Sequence, residues 1–221
     1  MAWSGFIIAY VVFFLSHSLP VRPPLRPWLQ RRLGRGGFTL AYSALSLAVL
    51  AWLIAAAGRA PHVPLWDWAA WQVYVPLTMM LPVCLILALS IARPNPFSFG
   101  GARNARFDPM HPGIVRWARH PLLLALALWS AAHVVPNGDL AHGVLFGTFA
   151  VFAGIGGRLI DRRKKREMGA EWHRLRLAVA RAPLFSSSVS AVHMLRLSAG
   201  VALYAVLIWL HPFLVGVSPL P

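Results

Sequence analysis

Histidine carries most of the chemistry this chain offers. Nine histidines accompany one cysteine and six carboxylates in 221 residues. No pair of histidines has the dense spacing of a structural zinc site, and no His-Glu-x-x-His motif is present, so zinc hydrolysis is not expected. Isolated histidines on separate helices suit a different metal group, because each neutral imidazole offers one axial ligand to a haem iron. His17 is the best placed by local pattern: Tyr10, Phe13 and Phe14 precede it by 7, 4 and 3 residues and share its helical face. Such a face suits a flat macrocycle or a polyene, and Ser18 beside it offers a further hydrogen bond. Arg119, His120 and Pro121 form a second cluster, with Pro121 suited to a first helical turn where its missing N–H costs nothing. Cys84 stands alone in an apolar run, so neither a disulfide framework nor a thiolate cluster is expected.

The elements that position these residues are apolar. Hydrophobic residues make up 58% of the chain, charged residues only 12%, and the mean hydropathy is +0.61, which excludes a soluble globular domain. Six apolar runs, at about 2–19, 38–57, 71–92, 117–135, 140–160 and 193–217, approach the ~20 residues that cross a bilayer core. The expected architecture is a single all-α domain over 1–221, an integral membrane bundle of about six transmembrane helices. The first run lacks a basic leader and a small-residue cleavage site, so it is read as a span and not a signal.

Charge sets the expected orientation. Three alternate segments, 20–37, 93–119 and 158–181, expected as loops between the spans, hold 19 of the 21 Lys and Arg residues. By the positive-inside rule both termini face away from the cytoplasm, in an inner-membrane, multi-pass protein. Topology accounts for the excess of cations, so nucleic acid is not an expected partner; the lipid bilayer is. Trp66, Trp68 and Trp71 mark the opposite interface. Within the fifth run, Gly143, Gly147 and Gly154 predict close helix packing, and Pro76 and Pro82 interrupt the third. Asp161 is expected to pair with Arg158 or Lys165 on its own helix, as a structural clasp.

Depth leaves two histidines competing as partners for His17. His17 lies three residues before Pro20, about 4–5 Å from the cytoplasmic end, whereas His133 lies twelve residues beyond Pro121, about 18 Å along its helix. His120 matches the depth of His17 better. Arg22, Arg116 and Arg119 surround the entrance near His17 and His120, where they suit haem propionates or lipid headgroups equally.

Motifs along the whole chain carry a family resemblance. His17-Ser18, Leu33-Gly34, Tyr42-Ser43 with Ser46, Arg119-His120-Pro121, Leu128-Trp129, Ala132-His133, Gly138-Asp139, Leu145-Phe146-Gly147 and Leu210-His211-Pro212 with Gly216-Val217 resemble the NnrU family of membrane proteins associated with denitrification. The zeta-carotene isomerases are similar to the same family, and that resemblance implies haem b held by two histidines. Carried over by motif, the ligands are His17 and His133; a proposed thiolate ligand of those isomerases falls on Ser130, which is no thiol. The leading expectation is a haem-binding membrane protein linked to denitrification and nitric oxide metabolism. The alternatives are a haem-dependent cis–trans isomerase acting on an apolar polyene, a non-catalytic membrane assembly protein, and a membrane methyltransferase. The last rests on a faint similarity of Arg119-His120-Pro121 with Glu167, Gly169 and Trp172 to the isoprenylcysteine methyltransferases, whose carboxylate pair is reduced here to Glu167-Met168.

Overall fold

A computed structural model describes residues 3–99, 101–184 and 190–221. The chain is all-α: seven helices and three short 3₁₀ turns, with no strand among the described residues. It divides into two compact units, one comprising 1–67 and 138–145 and the other 68–137 and 146–221.

The first unit holds helix α1, Ser4–Ser18, and helix α2, Leu25–Gly58, packed against each other. Along α1, Phe6, Tyr10 and Phe14 form an aromatic ladder, with centroids 5.0 and 5.9 Å apart. The Tyr10 hydroxyl donates to the Val144 carbonyl at 3.0 Å. The basic segment expected as a loop over 20–37 is mostly helical, because its Leu, Arg and Gln residues are good helix formers and Pro27 falls in the first turn. The helix breaks at Gly34, where φ is +70° and ψ 167°, a conformation that costs an L-residue with a Cβ. Beyond the break, α2 buries Phe38, Val49, Leu53, Ala56 and Ala57.

The second unit is built on helix α3, Tyr74–Ser90, which packs against both α4, Pro121–Val134, and α7, Ala191–Val215. Gly200 lets α7 close on α3, since a Cβ there would lie 3.1 Å from the Leu85 Cα. Tyr204 then donates to Leu77 O at 2.7 Å, and Arg196 caps the end of α3 through Ala88 O and Ile91 O, where the helix dipole is negative. Helix α5, Leu140–Met168, begins in the first unit and continues in the second. Gly169, at φ +58°, ends it and starts α6, Ala170–Arg181. Phe97, Val115, Trp172 and Val179 form a small buried core, flanked by Phe107, Met168 and Leu175.

Four of the apolar helical segments are long enough to cross a bilayer: α2, 70–90 (the 3₁₀ turn Ala70–Val73 with α3), α5 and α7. Helices α1 and α4 are equally apolar but have 15 and 14 residues, only about 21–23 Å at 1.5 Å per residue. Ile7, Ile8, Leu40, Leu47, Val151, Leu195 and Phe213 all project outward, as a lipid solvent requires. Close packing on α5 falls elsewhere than the pattern predicts. A Cβ on Gly147 or Gly154 would meet nothing within 4 Å and one on Gly143 only Leu65, whereas Gly156 and Gly157 abut Leu123 and His120 of the second unit. Pro121 does open α4 at its first position.

Candidate functional site

Two histidines share one local arrangement. His17 stands in the last turn of α1, with Nδ1 2.8 Å from the Phe13 carbonyl oxygen. A carbonyl only accepts, so Nδ1 carries the proton and donates it, and Nε2 keeps its lone pair. His133 stands at the end of α4 with Nδ1 2.7 Å from the Trp129 carbonyl, which assigns the same tautomer. In both cases the helix turn preceding the histidine fixes the ring and leaves Nε2 as the ring atom available to a ligand.

The surroundings of both rings are aromatic. Phe13 stacks on His17 at 4.0 Å between centroids, and Tyr42 of α2 lies at 6.1 Å, its hydroxyl donating to His17 O. Trp129 and Phe146 flank His133 at 5.5 and 5.4 Å. Ser130, one turn from His133, is fully buried, and its hydroxyl donates back to Leu126 O at 2.6 Å. It serves the helix backbone.

His120 differs from both. It precedes α4, and its Nδ1 lies 3.0 Å from Ser98 Oγ and its Nε2 3.1 Å from Asp161 Oδ1, so neither nitrogen is left for a metal. Arg119 forks onto the same carboxylate, with Nε 2.9 Å from Oδ1 and a terminal nitrogen on Oδ2. Asp161 thus pairs across helices and not with Arg158 or Lys165, because it follows Gly157 by one turn on the face that meets α4. Gly157 leaves room for the imidazole: a Cβ there would sit 3.1 Å from His120 Cδ2. Asn95 fixes the approach, donating to Arg119 O and accepting from Phe97 N.

Of the other expected site residues, Arg116 donates through Nε to Ala182 O at 3.0 Å, and Arg22 is exposed after α1. His17 and Arg22 belong to the first unit; Arg116, Arg119, His120 and His133 belong to the second. Asp161 is the member that sequence reasoning did not place in the cluster; the available signal was a lone acid directly after an apolar run. Glu171 of α6 is held below the usual carboxylate range by the hydrogen bond from Arg174. No three His, Cys, Asp or Glu side chains converge as a metal site among the described residues. The first unit carries an apolar groove of about 520 Å³ along α1, lined by Trp3, Phe6, Tyr10 and Phe14 among others but not by His17.

These helices define a multi-pass membrane protein whose distinctive side chains are two histidines bonded to their own helix turns and a charged clamp. The chain belongs to the NnrU protein family, whose model matches residues 5–219. Neither a curated protein nor a solved structure matches it.

Proposed function

We propose that this NnrU-family protein binds haem b through Nε2 of His17 and of His133 and serves nitric oxide metabolism in denitrification. The observation that carries the reading is the shared tautomer: both histidines donate Nδ1–H to the carbonyl one turn back, leaving an unprotonated Nε2 in an aromatic shell. Bound haem would supply an iron that changes redox state and takes small diatomic gases. The protein's own part is to hold each imidazole in one tautomer and to exclude water with Phe13, Tyr42, Trp129 and Phe146. Arg22 and Arg116 are the cations suited to the propionates, since Arg119 is already matched by Asp161.

Absorbance spectra of protein purified in mild detergent after haem-replete expression test this. Sharp reduced bands are expected for the native protein and for His120→Ala, and loss of those bands for His17→Ala and His133→Ala. Absence of a Soret band from the native protein overturns the haem reading. Added nitric oxide should change the spectrum.

Isomerisation of a polyene is the second reading, and the apolar groove along α1 favours it. Conversion of a 15-cis polyene with no spectral response to nitric oxide would select it. In the membrane, we infer that all six apolar helices cross, with both termini on the non-cytoplasmic side of the inner membrane. The support is the 19-of-21 segregation of cations. Reporter fusions after Leu33 and after Pro221 should report opposite compartments; matching signals defeat this topology.

A further inference from the structure

Trp172, in the first turn of α6, is the largest side chain of the small core and only 1% exposed. Its indole Nε1 is a buried donor with no hydrogen-bond partner among the described residues. Buried donors are nearly always paired, so an orphan of this kind needs an explanation. Three cations surround the same ring: Lys165 Nζ lies 4.6 Å from its centroid, and the guanidinium carbons of Arg176 and Arg119 lie at 5.4 and 5.7 Å.

The carboxylates nearby are already taken. Asp161 is shared by Arg119 and His120, Glu167 pairs with Arg163 and Lys164, and Glu171 pairs with Arg174. Neither Lys165 nor Arg176 has a carboxylate partner among the described residues. Both are exposed, so their stems form a cover over the indole that solvent reaches directly. Lys165 and Arg176 therefore stand against one ring with only cation–π attraction to offset their charge.

We propose that this corner is an anion site that takes a phosphate group. Lys165 and Arg176 supply the charge, and the N–H of Trp172 donates to one of the phosphate oxygens once the two flexible stems part. Arg119, 5.7 Å from the ring centroid, is already matched by Asp161 and adds no free charge to the site. A tetrahedral oxyanion fits this donor set better than a carboxylate, because cations on different helices and an indole N–H need acceptors facing several directions. A soluble phosphate and a phospholipid headgroup present the same chemistry. The site is independent of haem, since none of these residues is a proposed iron ligand.

Thermal stability of the full-length protein in a neutral maltoside, at ionic strength held constant with chloride, tests the proposal. The probes are inorganic phosphate and dihexanoyl phosphatidic acid, titrated separately. Saturable stabilisation by inorganic phosphate assigns the site to a soluble phosphate, and saturation with the lipid alone assigns it to a headgroup. Lys165→Gln/Arg176→Gln, which removes both charges at exposed positions and shortens the stems, should weaken the effective probe by about tenfold or more. Trp172→Phe keeps the aromatic face and removes the donor, and should weaken it by about three- to tenfold. The proposal is overturned if neither probe saturates, or if the double variant binds as the native protein does. Should Trp172→Phe fail to fold, the double variant alone decides.

Discussion

His120 and His133 occupy the two ends of α4 and are used in opposite ways. At the start of the helix, both imidazole nitrogens are engaged, by Ser98 from the preceding loop and by Asp161 from α5. At its end, one nitrogen is bonded to the helix's own backbone and the other is left over. The first arrangement draws side chains from separate segments and fixes how they pack; it is a clamp. The second needs only the turn that carries it, so it costs the fold little and leaves a lone pair for a ligand. What distinguishes these two histidines is therefore the fate of the second nitrogen, which neither burial nor residue type reveals.

Substitution should separate the two ends most sharply in haem content. His133→Ala is expected to lose the reduced haem bands completely, with partial return when imidazole is added to fill the vacated position. His120→Ala should keep its spectrum and lower the melting temperature. A His120→Ala protein that lost haem while His133→Ala retained it would reverse the comparison.

The clamp itself is probed at Asp161. Asp161→Asn leaves Arg119 without a counter-charge and weakens the contact to His120. Removing one partner of a fully buried pair costs about 3–5 kcal/mol, but Arg119 is 33% exposed, so a loss of about 1–3 kcal/mol is expected here. Thermal denaturation in detergent measures it, and Arg119→Met/Asp161→Leu should recover part of the loss by replacing the pair with apolar packing. An unchanged melting temperature for Asp161→Asn would show that the ion pair is mere decoration on a fold held elsewhere.

Much of this was legible before any coordinates. The apolar runs, the aromatic face leading to His17, the role of Pro121 at the start of α4 and the family all follow from local pattern and motif. What escaped depends on which faces of distant segments meet. Asp161 was assigned to Arg158 or Lys165 because helical spacing puts them within reach, yet the face it shares with Gly157 turns toward α4. The helix before Gly34 was read as loop because its arginines argued for topology, and charge does not oppose helix formation. The glycine pattern on α5 went astray for the same reason: spacing alone does not identify the face that has a neighbour.

That last error yields the finest test of the clamp, because two glycines of one helix should respond with opposite signs. At Gly157 a methyl group would sit 3.1 Å from the His120 ring, which is pinned at both nitrogens and has little freedom to retreat. Gly157→Ala is expected to destabilise on balance, an overpacking cost of about 1–3 kcal/mol outweighing the ~0.5–1 kcal/mol gained in helix propensity. At Gly147 the added methyl would meet nothing within 4 Å. There only the conformational term remains, and Gly147→Ala should stabilise α5 by about 0.5–1 kcal/mol. Melting temperatures of the two variants, measured side by side in the same detergent, check the pair. A gain at both positions would mean that His120 shifts freely, and the clamp would then be too loose to position anything.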